Sequence, residues 1–122
     1  MTTVQERATV LDEAALEAFA DRIIGVLNDG CTALLTSIGH QTGLFGALAA
    51  TGPATSAQVA AAGSLSERYV REWLNAMTTA GFVEYESQSR TYTLPREHAA
   101  WLVDDAGPEN LARTTMFLTM LA

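Results

Sequence analysis

The feature that most restricts the fold is a pair of short helical segments separated by a tight turn in the middle of the chain. The first opens at Thr55, whose hydroxyl stands three residues before Gln58, which is the spacing of a capping box. Gly63 lies one residue before the usual position of a turn glycine, so Ser64 occupies that position. Ser66 then stands where the cap of the next helix belongs. This arrangement predicts a helix-turn-helix.

The second of these helices is followed by a predicted β-hairpin. Its buried face is predicted to hold Val70, Trp73, Leu74 and Met77, which recur at helical spacing. Gly81 is predicted to end the helix, and a first strand follows over residues 82–85. After a polar turn, residues 91–94 alternate as a returning strand and Pro95 stops it. Residues 53–95 are therefore predicted to form a winged helix-turn-helix with a small two-stranded β-wing.

Long helices are predicted before this segment. Residues 1–11 are predicted to be a disordered or frayed start, and Asp12 is the predicted N-cap of the first helix. Apolar residues then recur at helical spacing from Leu16 to Ile38, which predicts one long kinked helix or two nearly collinear ones. Gly43 is the predicted left-handed cap. A short helix over residues 44–50 completes this part of the chain.

Further helices are predicted after the wing, over residues 96–122. The first is short and spans residues 96–103, and Pro108 suits the first position of a last helix over residues 109–122. That helix becomes apolar on nearly all sides after Thr115, and such a helix needs burial all round. We therefore expect a partner, or chain beyond Ala122, to cover it.

The apolar stripe of the predicted N-terminal helices, residues 12–52, is long for a small domain. It forms part of this domain's own core, or it packs against another chain, and both interpretations stay open at this point. Under the second, residues 12–52 are dimerisation helices. The predicted interface residues are Leu27, Leu34, Leu35, Ile38, Met116, Phe117 and Leu121.

Composition restricts the classes of function. A chain of 122 residues is about one domain, and it contains no apolar run long enough to cross a membrane. The N-terminus lacks a signal-peptide pattern, so a cytoplasmic location is expected. The single cysteine, Cys31, lies on the apolar stripe and is predicted to be a buried structural thiol. His40 and His98 have no metal-ligand spacing, so no metal site is predicted.

The charge distribution disfavours nucleic acid as a partner. The net charge is −7, and between residues 55 and 95 three arginines stand against four glutamates. On the second helix Arg68 and Arg71 are offset by Glu67 and Glu72, so we expect salt bridges there. Sequence-specific DNA binders neutralise several phosphates with basic residues. A DNA-binding transcriptional regulator that uses Arg68 and Arg71 is therefore the alternative hypothesis.

Several segments resemble one bacterial family. The most specific is Ser66-Glu67-Arg68-Tyr69-Val70-Arg71-Glu72-Trp73-Leu74, and residues 80–85, 92–100 and 38–48 are similar to the same family. The family is the S-adenosylmethionine-dependent methyltransferases with an N-terminal winged-helix domain. The resemblance covers residues 13–122 and is limited to that N-terminal domain.

The resemblance implies a domain that forms a homodimer and helps to cover the cavity for a small-molecule methyl acceptor. A following Rossmann-type domain would bind S-adenosylmethionine, since this chain has no glycine-rich strand–helix loop and is predicted to bind no cofactor alone. We therefore predict no catalytic residues here, and an enzyme acting alone is the third and least favoured class. His40, Gln41 and Thr42 stand where this part could face the substrate cavity, although a solvated helix end is the favoured interpretation of these three polar residues beside a glycine cap.

Overall fold

The computed structural model describes residues 10–121, apart from the side chain of residue 119. In chain order the elements are α1 (Glu13–Thr42), α2 (Leu44–Thr51), α3 (Ser56–Gly63), α4 (Glu67–Thr79), β1 (Glu84–Glu86), β2 (Thr91–Thr93), α5 (Arg96–Leu102), a 3-10 helix (Ala112–Met116) and α6 (Phe117–Leu121). The predicted fold class, a mainly helical winged helix-turn-helix with a two-stranded wing, is confirmed. The predicted frayed start lies outside the described residues, except for residues 10 and 11.

The first of two compact units comprises residues 1–31, and its described part holds the beginning of α1. The helix begins after Asp12, whose Oδ1 accepts a hydrogen bond of 3.2 Å from the backbone N–H of Ala15, as the predicted N-cap requires. Its large apolar side chains are exposed, among them Leu16, Phe19, Ile23, Ile24 and Leu27. Cys31 is also exposed, so the prediction of a buried thiol is wrong. Helical periodicity identifies an apolar face, but one helix cannot bury its own face.

The second unit, residues 32–122, contains the hydrophobic core. The core comprises Leu44, Phe45, Leu48, Ala54, Val59, Ala60, Val70, Trp73, Leu74, Met77, Val83, Tyr92, Leu94, Ala99 and Ala112. All four residues predicted for the buried face of α4 belong to it. Trp73 meets Phe45 edge to face at a centroid separation of 5.0 Å, and its Nε1 donates to the Leu35 carbonyl over 2.9 Å. Gly39 allows this packing, because a Cβ there would lie 2.5 Å from Cζ2 of Trp73.

The turn between α3 and α4 has one strained residue. The predicted capping box opens α3, with Gln58 N–H donating to Thr55 Oγ1 over 3.2 Å and Thr55 N–H donating to Gln58 Oε1 over 2.9 Å. Ser64 ends the helix in the left-handed region, at φ 55° and ψ 44°. Ser66 holds the predicted N-cap position of α4, but its side chain makes no capping hydrogen bond. The position of the N-cap is therefore confirmed, but the prediction that the Ser66 hydroxyl caps the helix is wrong.

The wing is fixed on both sides of β2. Strands β1 and β2 pair antiparallel with Tyr85 opposite Tyr92, and the two rings lie 4.7 Å apart. On its other edge Tyr92 exchanges two backbone hydrogen bonds with Ala54, of 3.0 and 2.7 Å. The Tyr92 hydroxyl donates to Oδ1 of Asn75 on α4, and burial raises the pKa of this phenol, which keeps it protonated as a donor.

The structure corrects the prediction for the C-terminal part. The short helix after the wing is confirmed as α5, but residues 103–111 form an irregular loop, and helical structure resumes only at Ala112 as a 3-10 helix. Pro108 therefore lies in the loop and begins no helix. The backbone N–H of Leu111 donates to the carbonyl of Trp101 over 2.6 Å, which turns the chain back onto α5. This tertiary contact outweighs the local preference of proline for a helix start.

Candidate functional site

The outward face of α4, which would enter a DNA groove in a DNA-binding winged helix, has its arginines paired within the helix. Nε of Arg68 lies 3.5 Å from Oε1 of Glu72, and Nε of Arg71 lies 3.8 Å from Oε2 of Glu67. The salt bridges predicted for these arginines are thus confirmed. All four side chains are exposed to water, so each pair contributes only about 0.3–0.5 kcal/mol to stability. Their main consequence is a helix face without net positive charge.

A carboxylate stands where α3 and α4 begin. Oε2 of Glu67 accepts a hydrogen bond of 2.6 Å from the hydroxyl of Ser56, the first residue of α3. Helix N-termini attract phosphate because their N–H groups are unpaired and the helix dipole is positive there. The negative charge of Glu67 at this point repels a phosphate instead.

The wing carries more negative than positive charge. Glu84 and Glu86 of β1 are exposed, and Arg90 in the turn is the one basic residue of the hairpin. Oε1 of Glu86 accepts a hydrogen bond of 2.9 Å from the backbone N–H of Gln88, so this carboxylate stabilises the turn. A wing that contacts a phosphate backbone uses basic residues at such positions.

The structure separates the three residues predicted to face a substrate cavity. His40 lines a cavity of about 170 Å³ in the second unit, whereas Gln41 and Thr42 are exposed and do not line it. Nε2 of Gln41 donates to the Ser37 hydroxyl over 2.8 Å, and the hydroxyl of Thr42 donates to the carbonyl of Ile38 over 2.7 Å. The cavity is lined by Gly39, His40, Gly43, Phe45, Gly46, Leu102, Val103, Asp104 and Asn110.

Asp104, on the rim of this cavity, was not singled out from the sequence. Its Oδ1 accepts hydrogen bonds from Nδ2 of Asn110 over 2.9 Å and from Nη2 of Arg113 over 2.8 Å. The bond from Asn110 and the positive charge of Arg113 lower the pKa of this carboxyl, and the charge of His40 acts in the same direction. In the sequence Asp104 is part of an acidic, glycine-containing stretch that predicted only a linker.

The predicted interface residues differ in their exposure. Leu35 is half-buried and packs against the core. The others are exposed: Leu27, Leu34, Ile38, Met116, Phe117 and Leu121. Exposure of large apolar side chains is what an association surface requires of the free chain. The association itself stays a prediction.

Within residues 10–121 no three His, Cys, Asp or Glu side chains cluster as a metal site would require. None of the described helices combines the length and apolar character needed to cross a membrane.

Residues 30–104, which include the helix-turn-helix and the wing, match the Rv2258c-like winged HTH domain family. The chain belongs to this family. None of the curated protein sequences matches the chain significantly. Several solved structures have a similar fold, and three of them are described here.

Mitomycin 7-O-methyltransferase MmcR shares 23% identity with a TM-score of 0.69, over 87% of this chain and 30% of its own. PigF, solved with SAH, shares 21% identity with a TM-score of 0.66, over 90% of this chain and 29% of its own. Human N-acetylserotonin methyltransferase, solved with SAM, shares 18% identity with a TM-score of 0.67, over 82% of this chain and 30% of its own. The chain thus spans less than a third of each protein, and the likeness establishes a shared fold.

Proposed function

We propose that this chain is the N-terminal, non-catalytic winged-helix domain of an S-adenosylmethionine-dependent methyltransferase. The observation that supports the proposal most is that the outward face of α4 has no net positive charge. The chain has a fold found in three larger proteins, two of them named as methyltransferases. The helix that would read DNA in such a fold has Arg68 and Arg71 paired with its own glutamates. These features support an architectural role better than recognition of nucleic acid.

In this role the domain forms a homodimer and helps to cover the substrate cavity, while a Rossmann-type domain binds S-adenosylmethionine. Exposed apolar side chains support the association. They are Leu27, Leu34, Ile38, Met116, Phe117 and Leu121. Burying the exposed half of such a side chain contributes about 1 kcal/mol, so the two copies together gain on the order of 10 kcal/mol. That gain is comparable to the cost of association, about 4–15 kcal/mol.

The end of α1 is the part of the domain that we assign to the substrate side. His40 lines the described cavity, and Gln41 and Thr42 are exposed next to it in sequence. In a complete enzyme Gln41 and Thr42 would offer an amide and a hydroxyl to a small-molecule methyl acceptor. Catalysis would depend on groups outside this chain.

The decisive experiment compares the native gene product with the 122-residue chain. We expect the reading frame to continue for roughly 200 residues, enough for a further domain with a glycine-rich strand–helix turn. We also expect calorimetry to detect S-adenosylmethionine binding by the complete protein and none by residues 1–122. A native product that ends at Ala122, or cofactor binding by the short chain, would refute the proposal.

The dimer is tested by sedimentation of charged variants. Leu27→Asp and Phe117→Asp replace exposed side chains, so we expect monomers with an unchanged circular dichroism spectrum. Ala61→Asp, at an exposed position of α3, is the matched control and should remain dimeric. Leu35 is unsuitable, because it packs against the core and a charge there would disturb folding. If both variants stay folded and dimeric, the interface lies elsewhere.

The competing regulator hypothesis is supported by the helix-turn-helix itself and predicts salt-sensitive DNA binding. Fluorescence anisotropy with a labelled duplex at 50 and 200 mM salt distinguishes the two. We expect no binding tighter than about 100 µM near physiological salt, which is the weakest dissociation constant typical of non-specific binding. Submicromolar binding that weakens steeply with salt and with Arg68→Ala and Arg71→Ala would favour the regulator.

A further inference from the structure

The apolar face of α1 is exposed along the length of the helix. Large side chains recur on it at helical spacing, and each of them is 43–62% exposed. They are Leu16, Ile23, Ile24, Leu27, Leu34 and Ile38. Asp21, Arg22 and Asp29 recur on the opposite face. An amphipathic helix of 30 residues with its apolar face in water requires a partner for that face.

Two small residues, Ala20 and Gly30, leave gaps in this apolar face. A Cβ built on Gly30 meets no atom within 4 Å, so the space outside it is open. If a second copy of α1 lies antiparallel with its Leu27 at the same point, Ala20 faces Leu34 and Gly30 faces Ile24. Each gap then receives a large side chain, as close packing requires. In a parallel pair each small residue would face its own copy and leave a void.

The charges of α1 also favour the antiparallel orientation. Residues 12–21 contain four carboxylates and no basic residue, whereas residues 33–42 contain no acidic or arginine side chain. In the antiparallel pair centred on Leu27, the acidic segment of each copy lies beside residues 33–42 of the other. In a parallel pair the two acidic segments would lie side by side, and like charges in contact repel each other.

We propose that α1 pairs antiparallel with α1 of a second copy, with Leu27 of both copies on the two-fold axis. Leu27 is the midpoint of the apolar face between Leu16 and Ile38, so this register covers both ends. A shift by one heptad in either direction would leave Leu16 or Ile38 without an apolar partner. The paired length is about 33 Å at 1.5 Å per residue. The interface is isologous, since both copies contribute the same face.

This inference rests on the homodimer of the proposed function and adds its orientation and contacts. The two can fail separately. A chain that dimerises without this pairing would show that the register is wrong and leave the homodimer standing. A monomeric chain in sedimentation would refute the register and the homodimer together, while S-adenosylmethionine binding by the complete protein would still test the methyltransferase assignment.

Disulfide formation in air tests the orientation. In the proposed register Ile23 faces Cys31 of the second copy, whereas the two copies of Cys31 lie about 12 Å apart along the helix axis. Cysteines with Cα atoms more than about 7 Å apart cannot be bridged without backbone movement. We therefore expect Ile23→Cys to give covalent dimers on a non-reducing gel, and the parent chain and Ile23→Cys/Cys31→Ser to give none. Failure of Ile23→Cys to crosslink, or crosslinking of the parent or the double variant, would overturn the register.

Two glycine variants test the contact itself by sedimentation equilibrium. Gly30 lies on the apolar face, and Gly25 lies on the charged face between Asp21 and Asp29. A Cβ at either glycine meets no atom within 4 Å, so Gly30→Leu and Gly25→Leu should both fold. Gly30→Leu occupies the space of Ile24 from the second copy and should weaken dimerisation about tenfold or more, whereas Gly25→Leu is the matched control and should dimerise as the parent does.

A parallel pair predicts the opposite result, because a leucine would fill the void between two facing copies of Gly30 and tighten the dimer. Unchanged or tighter dimerisation of Gly30→Leu would therefore overturn the proposal. Equal weakening by Gly25→Leu would also overturn it, since the charged face would then take part in the contact.

Discussion

Replacing Ser64 with glycine should stabilise the protein, although it removes atoms from the turn between α3 and α4. Ser64 has φ 55° and ψ 44°, and its backbone N–H bonds the carbonyls of Ala60 and Ala61, so the turn holds it in the left-handed region. That conformation costs a residue with a Cβ about 1–2 kcal/mol. Glycine avoids this cost but loses about 0.5–1 kcal/mol more in conformational entropy on folding. The difference is a net gain of about 0.5–1 kcal/mol for Ser64→Gly.

Urea unfolding followed by tryptophan fluorescence measures this gain, since Trp73 is buried in the same unit; Trp101→Phe, at an exposed position, removes the second signal. We expect a higher midpoint at unchanged slope and a thermal midpoint raised by about 2–6 °C. Ser64→Ala is the control: the Ser64 hydroxyl makes no hydrogen bond to the described residues, and alanine keeps the Cβ, so stability should stay nearly constant. If Ser64→Gly leaves stability unchanged or lowers it, the strain argument fails.

Three further predictions concern caps, packing and pH. Thr55→Ala should lower the free energy of unfolding, measured in urea, by about 1 kcal/mol because it breaks the capping box. Ser66→Ala should lower it little, because the Ser66 side chain makes no capping hydrogen bond. Equal losses in the two variants would contradict this prediction. Gly39→Ala should destabilise the protein by about 1–3 kcal/mol, since its Cβ would overlap the rings of Trp73 and Phe45. Gly46→Ala should stabilise it by about 0.5–1 kcal/mol, since a Cβ there meets no atom within 4 Å and alanine favours the helix. Urea midpoints that do not shift in opposite directions would contradict this prediction. The lowered pKa of Asp104 gives a stabilisation that is complete above about pH 4 and is lost as pH falls through the folded value. Asp104→Asn should therefore lower the urea midpoint at pH 6, and this deficit should shrink as pH falls through the folded pKa of Asp104. A deficit of the same size at every pH would assign another role to the side chain.

Local signals in the sequence were sufficient for the helix-turn-helix. The apolar spacing of Val70, Trp73, Leu74 and Met77 predicted the buried face of α4, and the Thr55–Gln58 pair predicted the capping box of α3. These features depend on residues within one or two helical turns of each other. Propensity, patterning and packing agree there, which is why the prediction was reliable.

The loop after α5 could not be predicted in this way, because distant contacts decide it. Gly107 lies so close to the Ala100 backbone that a Cβ would be 2.2 Å from the Ala100 carbonyl oxygen. Asp104 is bonded to Arg113, nine residues further along the chain. Pro108 between them gave a local helix signal that these contacts override.

The cavity was only partly visible in the sequence. His40 lines this cavity and Gln41 and Thr42 do not, so their predicted role at a substrate cavity stays a prediction. Asp104 stands 64 positions after His40, in a stretch that predicted a linker. Much of the lining is glycine backbone, which leaves no side-chain pattern to detect. Sequence periodicity also failed for Cys31, because it cannot say whether another element covers an apolar face.

Tyr92 pairs with Tyr85 on one side and with Ala54 on the other, so the wing is fixed to the segment that leads into the helix-turn-helix. The amide of Tyr92 and that of Ala54 bond each other's carbonyls, so neither can exchange with solvent unless the hairpin and the segment leading into α3 separate. We therefore expect both amides to exchange with deuterium at the rate of the core of this unit, much more slowly than the exposed turn of the hairpin. A partner that docks against the wing meets a surface already fixed in shape, and binding costs little ordering entropy there.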